Sequence, residues 1–149
     1  MEMDIVKVAE LVATMAHRGQ VDKSGVPYIE HPRTVASKLT TPEEKAVGFL
    51  HDTLEDTFLT ERDLRPVFGD TITDAVVALT HLASEDYFTY IERASKNPIS
   101  IRVKMADLTH NMDDSRLILV TQHDRDRIEK YKRAYAYLES ILKAQTDKN

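Results

Sequence analysis

A chain of 149 residues can bury a hydrophobic core unaided, and without cysteine it has no thiolate zinc site or disulfide framework. Its formal net charge of −5, with 30% of residues charged, argues against electrostatic binding to nucleic acid or to an anionic membrane, so an anionic ligand would need local positive charge. The opening residues 1–6 carry Glu2 and Asp4 rather than a basic and apolar leader, and no apolar run reaches transmembrane length, so the expectation is one cytoplasmic domain over residues 1–149.

Ile5, Val8, Ala9, Val12, Met15 and Ala16 recur at spacings of three and four, which predicts an amphipathic core helix stopping near His17, Arg18 and Gly19. Gly19, Gly25 and Pro27 then mark a loop into His31 and Pro32. Pro32 suits the first helical position, with Val35, Ala36 and Leu39 as the apolar stripe, so the His31 imidazole is expected to point outward from a helix entrance. Thr41, Pro42 and Glu44 form a capping box for a helix through Val47 and Leu50, with His51 near its far end. Thr60 to Asp63 makes a weaker cap for a short helix ending at Phe68 and Gly69, and Ile72, Ala75, Val76 and Leu79 give another stripe.

Tyr87, Tyr90, Ile91 and Ala94 repeat the pattern. Asn97 and Pro98 end that helix and open the next, from about Ile99 through Asn111. Ile128, Tyr131, Tyr135, Leu138 and Leu142 predict a last, strong helix before a polar tail at 143–149. Without period-2 alternation, a hairpin signal or an internal repeat, the chain reads as all-α, a helical bundle of seven or eight short helices around one core.

The densest chemistry lies in His51, Asp52, Glu55 and Asp56. Side chains of adjacent residues diverge by about 100° on a regular helix, so His51 and Asp52 can meet one metal only near a helix end. Glu55 and Asp56 follow at i+4 and would layer a second carboxylate pair over the first; a solvated acidic helix end is the equal alternative. Asp107 sits among Val103, Met105, Ala106 and Leu108, and shares a face with Lys104 and Asn111. A carboxylate in that setting is paired, here with Lys104, or metal-bound.

His31, His51-Asp52 and Asp107 stand in the order H…HD…D, which resembles the HD phosphohydrolase superfamily. Gly19-Gln20, Gly25-Val26-Pro27-Tyr28-Ile29-Glu30-His31-Pro32, His51-Asp52-Thr53-Leu54-Glu55-Asp56-Thr57, Val103-Lys104-Met105-Ala106-Asp107 and His110-Asn111-Met112 are similar, over about residues 9–116, to the hydrolase domain of RelA/SpoT-type alarmone enzymes, the metazoan SpoT homologue and small alarmone hydrolases included. The resemblance implies one manganese ion, Mn²⁺, held by His31, His51, Asp52 and Asp107, with Glu55 and Asp56 acting on the attacking water. It further implies Lys23 and Asn111 at the substrate; Lys104 would join them or simply pair with Asp107. His17, His81, His110 and His123 are left as surface or packing histidines.

The implied activity is manganese-dependent release of diphosphate from the 3′ position of guanosine 3′,5′-bis(diphosphate), a small nucleotide partner. A phosphohydrolase for another nucleotide or phosphate ester is the enzymatic alternative, and a non-catalytic metal or nucleotide sensor is the alternative of another class. Two departures bear on the base rather than the metal: the family's Arg that lies against guanine is Asp22 here, and its Ala-Asp-Arg reads Ala106-Asp107-Leu108.

Overall fold

The computed structural model describes residues 4–113, 115, 117 and 119–147. The acidic Glu2, the Arg116 end of the family-like stretch and the last two residues of the polar tail lie outside the described residues.

Eight helices make up the described fold: α1 (Ile5–Ala16), α2 (Glu30–Ser37), α3 (Pro42–Leu50), α4 (Thr53–Asp56), α5 (Glu61–Ala78), α6 (Tyr87–Ala94), α7 (Pro98–Asn111) and α8 (Gln122–Asp147). Pairing of β type among the described residues is confined to one isolated bridge, Val21 with Pro27. The all-α expectation therefore holds. No helix among the described residues is long and apolar enough to cross a membrane.

Most helix starts follow from side chains that satisfy otherwise orphaned amides. Asp4 accepts from the Val6 and Lys7 amides, and Asn97 from those of Ile99 and Ser100 with Pro98 next in line. Thr41 with Glu44, and Thr60 with Asp63, each make both arms of a capping box, so the second is as complete as the first. The two stripes on either side of Gly69 run as one element hinged at that glycine, whose φ of 80° and ψ of 175° break the helical path in a region that strains any other residue.

Several expectations are corrected. The α2 helix begins at Glu30, so Pro32 is its third residue rather than its first, because tight turns (Glu30 amide to Pro27 carbonyl, His31 amide to Tyr28 carbonyl) start the coil early. His31 is thereby carried inward and is buried rather than facing out. The polar residues from Lys143 to Asp147 continue α8 instead of leaving it, since nothing in Lys-Ala-Gln stops a helix.

The apolar interior is two clusters, not one. Val35, Val47, Leu50, Leu64 and Val76 belong to the first, built from α1, α2, α3 and α5; Tyr90, Ile91, Ala134 and Leu138 belong to the second, between α6 and α8. Helix α7 serves both, giving Val103 and Ala106 to the first and Ile101 and Leu108 to the second. Most of α7 is buried between the two clusters, Lys104 and Asp107 included, while Arg102 and Thr109 stay exposed. Helices α2 and α3 meet at Gly48, where a β-carbon would stand 3.0 Å from Leu39 Cδ1 and 3.1 Å from Ala36 Cα. That close approach brings the histidines of the two helices together.

Candidate active site

Four side chains from separate segments converge beside α7. His31 comes from the first turn of α2, His51 caps the end of α3, Asp52 lies at the junction with α4, and Asp107 comes from the buried body of α7. The helix break after Leu50 is what lets the adjacent His51 and Asp52 face one point. His31 Nε2 is 2.8 Å from Asp107 Oδ1 and 3.8 Å from Asp52 Oδ2; His51 Nε2 is 3.2 Å from Asp52 Oδ2 and 3.4 Å from Asp107 Oδ1. The ligating atoms of His31, His51 and Asp52 all lie within 4.8 Å of one another.

His51 carries the clearest sign of what this cluster can hold. Its Nδ1–H donates to the Gly48 carbonyl at 2.6 Å, which fixes the ring and leaves Nε2 facing two carboxylates, buried and without a hydrogen-bond partner. Ligands about 2.1 Å from an octahedral ion lie on the order of 3 Å apart, the spacing found here, and imidazole with carboxylate is a donor set for a divalent metal. Without an ion a proton takes that place. Burial alone lowers the His51 imidazole, but the Asp52 and Asp107 carboxylates hold it well above its usual value.

The surrounding contacts hold these groups in place. His110 Nδ1 meets His31 Nδ1 at 2.7 Å with the rings stacked, so the other nitrogen of His31 is turned to the cluster. The Tyr28 hydroxyl donates to Asp52 Oδ2 at 2.5 Å, its phenol pushed far up by burial and by Asp52. Asp52 itself is lowered to about 2: burial opposes this, and the neighbouring His51 outweighs it. Lys104 Nζ donates to Asp107 Oδ2 at 2.8 Å, and Asn111 Nδ2 to Asp107 Oδ1 at 3.0 Å. Burial opposes charge on both Lys104 and Asp107, yet each holds the other ionised, the ammonium raised and the carboxyl lowered.

His31, Asp52 and Asp107 of this cluster line a cavity of about 390 Å³. Glu55 and Asp56 line it, and partial desolvation there, followed by nearby carboxylates, raises both. Glu55 Oε1 accepts from the His81 amide at 2.8 Å, which anchors it over the opening. Tyr87, Tyr90, Tyr131 and Lys130 line the cavity as well.

An adjoining hollow of about 170 Å³ shares Asp22, Asn111 and Tyr131 with this cavity and adds Lys23 and Arg127. Lys23 stands 3.6 Å from Asp124 there, away from the acidic cluster. Asp22 turns Oδ1 onto its own loop, accepting from the Ser24 and Val26 amides at 2.8 and 3.0 Å.

Of the histidines left as surface or packing groups, His110 and His81 belong to the site's surroundings. The spacing of His110 three residues after Asp107 was a signal for that. His17 is buried against Tyr28, and His123 is exposed as expected. Lys130, Tyr87 and Tyr28 were given no site role in the sequence reading; only the packing of their helices and loops brings them to the cavity.

The family described as HD domain matches residues 9–133. A GTP pyrophosphokinase of Myxococcus xanthus is 36% identical over 129 residues, 74% of this chain and 17% of that protein. The bifunctional (p)ppGpp synthase/hydrolase SpoT of Escherichia coli is 34% identical over 122 residues, 72% of this chain and 17% of that protein. The chain thus spans about a sixth of the length of these relatives. A solved structure of a metazoan SpoT orthologue that hydrolyses ppGpp shares the fold, with a TM-score of 0.73 over 97% of each chain at 21% identity.

Proposed function

Because the chain belongs to the HD-domain family, we propose that it is a metal-dependent phosphohydrolase that releases diphosphate from the 3′ position of guanosine 3′,5′-bis(diphosphate). The observation that carries the reading is His51 Nε2, buried and without a partner between the Asp52 and Asp107 carboxylates, beneath a cavity whose opening bears Glu55 and Asp56. The names of the Escherichia coli and metazoan relatives support the substrate.

In this reading His31, His51, Asp52 and Asp107 hold one divalent ion, manganese by preference. When bound, such an ion supplies positive charge that acidifies water and polarises a phosphoryl oxygen. Glu55, fixed by the His81 amide, takes the proton of the water that attacks the phosphorus at the 3′ oxygen, with Asp56 beside it. The bond from that phosphorus to the 3′ oxygen breaks, diphosphate leaves, and the 3′ oxygen ends as a hydroxyl. Raised carboxyls suit proton acceptance near neutral pH better than ordinary ones. Tyr28 and Lys104 keep Asp52 and Asp107 oriented and charged, and Asn111 serves substrate from its place against Asp107. Lys23, in the adjoining hollow, would reach a phosphate by leaving Asp124. The same reading makes the chain a single hydrolase domain working on a cytoplasmic nucleotide.

Asp22 offers no guanidinium face for guanine and is engaged by its own loop. Base selectivity is thus the weakest requirement of the site. The deciding experiment supplies manganese-loaded protein with a panel of nucleotides and scores diphosphate against monophosphate release. Fastest diphosphate release from the guanosine bis-diphosphate supports the reading; a much better substrate without a 3′-diphosphate replaces it with a phosphohydrolase of other specificity.

A further inference from the structure

The cavity that holds the acidic cluster has a cationic side. Lys130 of α8 sets its ammonium 4.5 Å from the centre of the Tyr87 ring and 5.6 Å from that of Tyr131, and all three residues line the cavity. The neighbouring cations are engaged: Lys104 with Asp107 at 2.8 Å, and Lys23 and Arg127 with Asp124 at 3.6 and 3.1 Å. Among the described residues no carboxylate pairs with Lys130. Beside it the Tyr87 hydroxyl is buried without a hydrogen-bond partner, a donor whose burial is costly until an acceptor reaches it. A half-buried ammonium packed over two neighbouring rings has already lost side-chain freedom and part of its water, so it attracts an anion more strongly than a surface lysine does.

The two sides are set apart by the packing. Contacts run from Asp107 to Lys104 at 2.8 Å, from Lys104 to the Tyr90 ring at 5.1 Å, from Tyr90 to Tyr87 at 6.0 Å between ring centres, and from Tyr87 to Lys130 at 4.5 Å. Lys130 thus borders the cavity from α8 and touches the carboxylate cluster only by way of Lys104, Tyr90 and Tyr87.

We propose that Lys130, over the Tyr87 and Tyr131 rings, is a subsite for a second phosphate group of the substrate, one that is not cleaved, so that the enzyme selects nucleotides phosphorylated at two separate positions. The proposal rests on the phosphohydrolase reading of the acidic cluster. A contact this far from the reacting phosphorus is made equally in ground and transition states, so its loss falls on KM rather than kcat.

The test compares the wild type with Lys130→Met, which keeps the apolar stem over the rings, and Lys130→Arg, which keeps the charge. Two ligands are used, guanosine 3′,5′-bis(diphosphate) and guanosine 3′-diphosphate with a free 5′-hydroxyl, with calorimetric binding to metal-free protein and steady-state kinetics on manganese-loaded protein. The wild type should bind the doubly phosphorylated ligand roughly tenfold more tightly. Lys130→Met should remove that preference and raise KM for this ligand by a similar factor, and Lys130→Arg should restore it. Equal wild-type affinities, or a Met variant that weakens both ligands alike, overturns the subsite. A lysine-dependent preference without hydrolysis keeps the subsite and overturns the catalytic reading, and neither binding nor hydrolysis of either ligand overturns both.

Discussion

His51 Nε2 faces Asp107 Oδ1 across 3.4 Å in a buried setting, and no hydrogen bond joins them. In the metal-free protein the carboxylates of Asp52 and Asp107 hold a proton on this imidazole against the effect of burial. A raised value means that this proton stabilises the fold fully below about pH 6.5 and that the contribution is lost as pH rises through the folded value. Metal has to displace the proton. The rise in melting temperature on adding Mn²⁺ should therefore grow as pH rises above about 6.5 towards the folded value. At a hundredfold excess over Kd it should reach roughly 2.7 kcal/mol, or about 5–10 °C for a domain of this size. An increment that stays flat with pH would detach His51 from the ion.

Asp107→Asn should empty the metal site and also destabilise the fold, because the same carboxylate is the buried partner of Lys104. Stranding that ammonium should cost about 3 kcal/mol. Adding Lys104→Met should recover much of the stability without recovering the metal. Denaturant melts and elemental analysis of the single and double variants separate the two roles; full metal content in folded Asp107→Asn removes Asp107 from the ligand set.

Glu55→Gln keeps the acceptor for the His81 amide but takes away the proton acceptor. Hydrolysis should drop by roughly 10²-fold or more while metal content and melting temperature change little. Near-normal turnover would move the base to Asp56, and Asp56→Asn is the variant to measure beside it.

Gly48→Ala should loosen the site from a distance. The added methyl would stand 3.0 Å from Leu39 Cδ1 and 3.1 Å from the Ala36 backbone, and backbone cannot step aside as a flexible side chain can. Helices α2 and α3 must separate, at a cost of about 1–3 kcal/mol, and His31 moves away from His51 with them. Mn²⁺ affinity measured by calorimetry should fall along with stability. A destabilised variant with unchanged metal affinity would show that the two helices do not set the histidine spacing.

The helices were legible because most carry their own start signal: Thr41 with Glu44, Thr60 with Asp63, Asn97 before Pro98. The order of His31, His51-Asp52 and Asp107 along the chain was legible for the same local reason. The inward turn of His31 was not, because Pro32 argued for an earlier helix position while the imidazole is drawn in by Asp107, 76 residues away. The second apolar cluster was hidden for a related reason: α7 is apolar on several faces, so it shows no single stripe from which to count cores. Lys130 carried no signal of its own in the sequence, because the Tyr87 ring it lies over comes from α6.

The double burial of α7 also fixes where the molecule can breathe. Its amides are released only if both apolar clusters open, so Asp107 rides on a segment whose hydrogen exchange should approach the limit set by global unfolding. Glu55 and Asp56 belong instead to a four-residue helix with Thr53 as its buried residue, which should exchange by small local openings. Asp107 and the Glu55–Asp56 pair should thus lie at opposite ends of the chain's exchange spectrum, so that the carboxylates at the cavity opening can rearrange while Asp107 beneath them stays fixed.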